Sequence, residues 1–336
     1  MRIIRKLAVP IAVCTALACL FVLYIWFNAP VKRGGSSSFF SITQGESIYS
    51  IAERLESAGM IRSEPFFTTL VRLTRSSRKM KSGVYNLDQG MKSTAVLRII
   101  TMGMVAMEKF TIPEGLHNKQ VARLLEEEGI VEEGAFLSAC SSRRILEKYR
   151  IPFASAEGFI FPDTYIVAKD LSAEQIVEVA IERFFDALGE IPYSGFSPEE
   201  LKRVVIVASL VEKEAKLDEE RPVIAAVFYN RLDGGKRLEA CSTIQYILGK
   251  TKERLLYSDL KIRSPYNTYR NTGLPPGPIA NPGLRSLRAA VYPAAVDYLF
   301  FVSKRDGSHH FSTNYTEHLR AIEEYGGEKK FTHQRS

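Results

Sequence analysis

Cysteine is scarce in this chain, with four in 336 residues. That is too few to staple a small secreted fold together. Tryptophan occurs once, and 15 prolines and 22 glycines are too few for a collagen-like or low-complexity polymer. Excess charge is also scarce once its location is known. The formal net charge is +7, and Arg2, Arg5, Lys6, Lys32 and Arg33 supply five of it with no acid among residues 1–33. The other 303 residues carry only +2. The basic pI therefore reports one end of the chain rather than a nucleic-acid-binding body. What is present fits a folded protein: 46% hydrophobic and 25% charged residues, over a length that suits about two domains.

Between the basic residues lies an uncharged run, Leu7 to Phe27, whose only non-hydrophobic members are Pro10 and Thr15. At about 1.5 Å per residue, such a helix spans a hydrocarbon core of about 30 Å. Tyr24, Trp26 and Phe27 form an aromatic belt at its far end, and the heavier positive charge before the run predicts a cytoplasmic N-terminus. A cleaved signal peptide and a lipidated Cys19 compete with this reading. Both require the apolar run to stop near Ala18, and it continues for eight residues after Cys19. Gly34 to Ser38 reads as a linker. Cys140 and Cys241 either pair or remain as buried thiols.

After the linker the chain matches itself at an offset of 70. Phe40, Ile42, Gly45, Ala52, Leu55, Glu56, Gly59 and Phe66 recur as Phe110, Ile112, Gly115, Ala122, Leu125, Glu126, Gly129 and Phe136. The unit reads as a strand, a Gly turn, and a helix with Ile48, Ile51, Ala52 and Leu55 on one stripe, ended by Gly59. Gly83-Val84-Tyr85 and Gly158-Phe159-Ile160 then read as strand material, each followed by a helix near 92–101 or 172–186. The first unit resembles a LysM-like carbohydrate-binding module; a duplicated packing unit without a ligand is the alternative. Arg72, Arg75, Arg78, Lys79 and Lys81 read as a solvated helix end or a surface for anionic lipid or wall polymer.

The strongest local signal is Ser197-Pro198-Glu199-Glu200, an N-cap with Pro at the first helical position and a capping-box Glu. The helix should run to about Lys216. On a wheel with Ala208 at zero, Glu212 falls at about 40°, inside the stripe of Leu201, Val204, Val205, Val211 and Ala215. Glu214 falls at about −120°, outside it. A carboxyl group on a packed face pairs with a buried arginine, caps a neighbouring loop, or serves as a proton donor. Downstream, Tyr266-Asn267-Thr268-Tyr269 and Gly273 to Pro278 form a loop-rich region suited to sugar recognition or to core packing. The histidines lack metal-ligand spacing.

At these residues the sequence resembles the endolytic murein transglycosylases, the YceG-like family. The matching stretches are Glu157 to Tyr165, Ala208 to Glu214, Tyr266 to Tyr269, Thr272 to Gly277 and Tyr298 to Ser312, in family order. Cys241-Ser242-Thr243 departs from the Asp-Pro-Thr of many members. The resemblance implies an inner-membrane enzyme whose external domain cuts the β-1,4 bonds between N-acetylmuramic acid and N-acetylglucosamine within glycan strands. The cut leaves 1,6-anhydro ends and terminates nascent strands. Glu212 matches the family's catalytic glutamate. Tyr266, Asn267, Thr243, Gln245 and Glu214 are candidate substrate-binding residues, no cofactor or metal is expected, and peptidoglycan synthases are expected partners alongside membrane lipid at 7–28.

The rivals are a lysozyme-like muramidase with a second carboxylate from Glu214, Asp163 or Glu157, and a non-enzymatic wall-binding scaffold. A pyridoxal-phosphate lyase is disfavoured because no lysine sits in a recognisable cofactor motif. The expected fold class is α+β: a single transmembrane helix, duplicated small LysM-like units, and a mixed α/β catalytic domain around a central buried helix. The expected division is 1–6 cytoplasmic tail, 7–28 transmembrane helix, 29–38 linker, 39–105 LysM-like subdomain, 106–170 second copy, 171–326 catalytic domain and 327–336 disordered tail.

Overall fold

The computed structural model describes residues 2–32, 34, 36–193, 195–250, 252, 255–325 and 331–332. The expected tail at 327–336 lies outside these apart from the backbone of 331–332. The fold is mixed α+β and begins with α1 (Arg2–Asn28). Within it, Ile11–Asn28 has a mean hydropathy of 2.1 over 18 residues, long and apolar enough to cross a membrane.

Next come β1 (Ser37–Ile42), α2 (Ile48–Ser57), α3 (Glu64–Leu73), β2 (Gly83–Asp88) and α4 (Ser93–Met102). β1 and β2 are antiparallel, with Phe40 opposite Tyr85. The alternation of each strand turns Phe40, Ile42, Tyr85 and Leu87 onto the Ile51, Ala52 and Leu55 stripe of α2, and Phe67, Val71, Val96 and Ile100 close the same core. The last turn of α1 is tied to this core. Asn28 Oδ1 accepts from Thr94 N at 3.0 Å, at the start of α4 where helix N–H groups lack partners. The Phe27 ring stacks on Phe66. Met1–Lys109 with Ile166–Asp170 form one compact unit.

β3 (Met107–Thr111) is followed by α5 (Asn118–Glu127), α6 (Glu133–Cys140), α7 (Arg143–Lys148) and β4 (Thr164–Ala168), which pairs with β3. α5 begins 70 residues after α2. Gly45 and Gly115 both take positive φ, as do Gly59 and Gly129, and Val121, Ala122 and Leu125 are buried like Ile51, Ala52 and Leu55. One expectation from the repeat fails: Gly158-Phe159-Ile160 is a turn, and the strand lies at Thr164–Ala168. The reason is local. Gly158 has φ +84, and the N–H groups of Gly158 and Ile160 both donate to the Asn281 side chain instead of to a neighbouring strand.

The chain continues through α8 (Ala173–Gly189), α9 (Pro198–Glu214), α10 (Arg221–Asp233), α11 (Cys241–Leu248), β5 (Leu255–Leu256), α12 (Tyr257–Leu260) and α13 (Leu284–Val291). It ends with an antiparallel hairpin of β6 (Phe300–Ser303) and β7 (His309–Ser312), α14 (Tyr315–Tyr325), and β8 (Phe331–Thr332) parallel to β5. Phe110–Tyr165 with Leu171–Ser336 form the second compact unit. The second repeat segment thus belongs mostly with α8 to α14, and 106–170 is not a body of its own.

Asn281 is fully buried in this unit. Its Oδ1 accepts from Gly158 N and Ile160 N at 2.9 and 3.0 Å. Its Nδ2 donates to Leu116 O and Asn118 Oδ1 at 2.9 and 3.0 Å. Asn281 N donates to Leu116 O, and Gly115 N donates to Asn281 O. One side chain thus joins three loops. Asn281→Ala strands several buried backbone groups and is expected to destabilise the protein by about 3 kcal/mol or more, checked by denaturant unfolding followed by circular dichroism.

Candidate active site

α9 forms because both ends of its pattern agree. Ser197 Oγ accepts from Glu200 N, Glu200 Oε2 accepts from Ser197 N, and Pro198 occupies the first turn. Every residue from Val204 to Val211 is buried, so the helix carries its final turn with little freedom. Glu212 sits on that turn with its side chain 6% exposed.

Two groups hold the Glu212 carboxylate. Arg221 Nη1 lies 3.3 Å from Oε1, and Gly283 N donates to Oε2 at 2.9 Å. Gly283 is the N-cap of α13. Arg221 is itself buried and also donates to Asp218 Oδ1 at 3.0 Å and to Ser286 Oγ. The loop before α5 closes over the same carboxylate. A Cβ on Gly115 would lie 3.6 Å from Glu212 Cγ, and Lys213 Nζ donates to Gly115 O at 3.0 Å.

Glu114 brings a second carboxyl group to the same place. A Cβ on Gly283 would collide with Glu114 Oε1. Gly283 has φ −76, so glycine is needed there for close approach and not for an unusual backbone. Burial and the charge of Glu212 raise Glu114 above the usual carboxylate range, against the opposing pull of Arg221 and Arg285. Arg285 also pairs with Asp218.

Cavities adjoin this part of the unit, and Glu212 is not among the residues that line them. Toward Lys213 and Glu214 is one of about 230 Å³, lined also by His117, Gln245 and Tyr246. His117 and Tyr246 also line a cavity of about 510 Å³ that reaches Glu157 and Tyr266. Toward Arg221 is one of about 380 Å³, bordered by Arg285, Arg288 and Tyr292. His117 is held below the usual imidazole range by burial and by Lys213, Lys119 and Arg123, so it is neutral at neutral pH. Burial pushes the Glu157 carboxyl up to about 8, although Asn118 N donates to it at 3.0 Å.

The residues singled out from sequence separate into two groups. Glu214, Gln245 and Tyr266 line cavities. Asn267 and Thr243 are fully buried. Asn267 Nδ2 donates to Leu260 O and Ile262 O, its Oδ1 accepts from Tyr269 N, and Thr243 Oγ1 bonds Ala240 O and Thr268 Oγ1. Their polar atoms thus bond the surrounding chain. Asp163 is paired with Arg183 at 2.7 Å. Cys140 and Cys241 are not joined: Cys140 is buried and Cys241 Sγ lies 3.0 Å from the Tyr269 hydroxyl.

Sequence reasoning missed Glu114, His117, Asn118, Arg221 and Gly283. A signal existed for three of them. At the offset of 70, Glu114, His117 and Asn118 replace Gln44, Ser47 and Ile48. The second copy departs from the first where its loop and helix start meet the site.

The sequence and the fold match one known class. The YceG-like family model covers residues 40–324, and the chain belongs to that family. It is 32% identical over 315 residues to an endolytic murein transglycosylase of Bacillus subtilis (strain 168), across 88% of this chain and 87% of that one. It is 27% identical to one of Streptococcus pneumoniae (strain R6), across 86% of this chain but 58% of the longer relative. A crystal structure of a yceG-like protein from Listeria monocytogenes superposes with a TM-score of 0.55 at 30% identity, over 85% of this chain and 99% of that one.

The raised Glu157 pKa has a definite sign. The folded state binds the Glu157 proton more tightly than the unfolded state, so stability falls as pH rises from about 4.5 toward 8 and levels off above that. The slope is expected to approach about 1.4 kcal/mol per pH unit. Glu157→Gln is expected to flatten this dependence, read from unfolding midpoints between those limits.

Proposed function

We propose that this protein is a membrane-anchored endolytic lytic transglycosylase that cuts peptidoglycan glycan strands internally. The observation that carries the reading is Glu212: a nearly buried carboxyl group on the last turn of α9, fixed by Arg221 and Gly283 N–H. Relatives named endolytic murein transglycosylases support the substrate and the reaction.

In this mechanism Glu212, in its protonated form, gives its proton to the oxygen of the β-1,4 bond as the bond to the muramoyl C1 breaks. The carboxylate so formed takes the proton of the muramoyl C6 hydroxyl as that oxygen bonds to C1, closing the 1,6-anhydro ring. One group performs both transfers, and the intramolecular nucleophile replaces the water and second carboxylate of a hydrolase. Arg221 and Gly283 N–H keep the carboxyl in one orientation, and preorganisation of this kind is where much of the rate resides. No cofactor enters. Tyr266, Gln245 and Glu214 contribute to the walls, while Asn267 and Thr243 hold the loop that carries Tyr266.

The remaining assignments follow the same reading. Residues 7–28 anchor the protein in the inner membrane with the N-terminus in the cytoplasm and the catalytic unit outside. The segments at 39–105 and 106–170 are copies of a LysM-like unit, the first of which contacts glycan, and α9 is the central helix of the catalytic domain. Cleavage terminates nascent strands in company with peptidoglycan synthases.

Glu114 favours a second reading. A carboxyl group that shares Gly283 with Glu212 supplies the partner that a muramidase requires. Digestion of purified glycan decides between them. The wild type is expected to yield anhydro-ended fragments from within strands, and Glu212→Gln to lower their formation by about 10²-fold or more. Glu114→Gln should leave anhydro products in place. Reducing ends that vanish with Glu114→Gln would identify a muramidase, and cleavage that survives Glu212→Gln leaves only a scaffold role for that residue.

Gly283→Ala pushes the Glu114 carboxyl aside next to the reacting centre. It is expected to slow cleavage by about 10- to 100-fold, with the melting temperature shifted by only a few degrees because the displaced atoms end a flexible side chain. Glu114→Ser in the same chain should recover part of the rate.

A further inference from the structure

The geometry points to the cavity around Glu157 as a binding subsite for an uncharged N-acetylhexosamine residue, one or more units along the strand from the bond that Glu212 cuts. This inference rests on the glycan-cleaving reading above and adds a second recognition point to it.

The cavity of about 510 Å³ falls in the range of ligand sites, about 300–1,000 Å³. It shares His117 and Tyr246 with the smaller cavity bordered by Lys213 and Glu214, the two residues that follow Glu212.

Glu157 has its pKa raised to about 8 by burial, and His117 is lowered by burial and neighbouring cations. Both are neutral near pH 7, and Lys119 is the one charged group lining this cavity among the described residues. A wall of neutral hydrogen-bonding groups recognises hydroxyl and amide groups. It offers a carboxylate or phosphate no concentrated countercharge, which separates this cavity from the arginine-rich one beside Arg221.

Asn118 lines the cavity and is 4% exposed, yet its Nδ2 has no partner among the described residues. Its orientation is not arbitrary. Two backbone N–H groups fix Asn281 Oδ1, so Asn281 presents Nδ2 to Asn118, and Asn118 must answer with Oδ1. Asn118 Nδ2 is therefore a donor awaiting an acceptor, and buried groups of that kind are rare. An acetamido carbonyl supplies the acceptor. Tyr246 and Tyr266, with ring centroids 5.0 Å apart, add faces for the C–H groups of a pyranose. The Tyr246 hydroxyl bonds both Glu157 and Tyr266, which fixes the pair.

The test uses the full chain in detergent with Glu212→Gln to prevent turnover. Chitohexaose, which carries acetamido groups, and cellohexaose, which lacks them, are titrated calorimetrically. Chitohexaose is expected to bind at least tenfold more tightly than cellohexaose. Adding Asn118→Asp, which replaces the unpaired donor by an isosteric oxygen, is expected to abolish most of that preference. Tyr266→Ala is expected to weaken both sugars about tenfold, with melting temperatures followed throughout. Equal affinity for the two sugars, or a preference untouched by Asn118→Asp in a folded chain, overturns the subsite. That result leaves the catalytic reading standing if the wild type still cuts glycan in a Glu212-dependent way. Failure of the wild type to cut glycan removes the reading on which the subsite rests.

Discussion

The architecture of the site depends on one buried amide. Asn281 spends all four of its side-chain hydrogen bonds on the turn at 158–160 and on the loop and first residue of α5 at 116–118. Its backbone adds two more to the loop at 115–116. Because the donors and acceptors are distributed between Oδ1 and Nδ2, the amide has one orientation, and each loop it touches inherits one position. Two residues later Gly283 delivers its N–H to Glu212. The Gly115 carbonyl accepts from Lys213 Nζ beside the Glu212 side chain. A partly satisfied network of this kind would cost more than an apolar core, while a satisfied one specifies a single arrangement.

Within that frame the carboxyl groups are differentiated by surroundings. Glu212 has a cation and a helix-capping N–H. Glu114 has burial and a neighbouring negative charge. Glu157 has burial with a backbone donor and a tyrosine hydroxyl. Chemically identical side chains thus acquire distinct roles through burial and partners. The buried Glu212–Arg221 pair is poorly explained as a device for stability, since desolvation offsets most of its attraction. What the pair does fix, together with Gly283 N–H, is the orientation of one carboxyl group.

Much of this was legible in the sequence where a pattern has a strong period or a strong cap. The Ser197 capping box and the apolar stripe located α9 to within two residues, and the wheel separated Glu212 from Glu214. The repeat gave α2 and α5 their places. The rest depends on contacts between distant segments. Nothing near Asn281 in sequence says that it will hold Gly158, Leu116 and Asn118. For the same reason Gly158 to Ile160 read as a strand: an apolar run after a glycine is ambiguous until its N–H groups find partners. Asn267 and Thr243 looked like sugar-binding groups because polarity alone does not tell a ligand contact from a loop staple. Arg221 had no distinguishing neighbours, yet it is the partner that the packed-face glutamate required.

The central claim is that the C6 hydroxyl of the substrate, and not water, attacks the carbon released by Glu212. Digestion of intact glycan strands in heavy-oxygen water tests it directly. Mass spectra of the new muramic ends are expected to carry no label and to show the mass of the anhydro ring. One heavy oxygen incorporated at each new end would contradict the account and assign the attack to water.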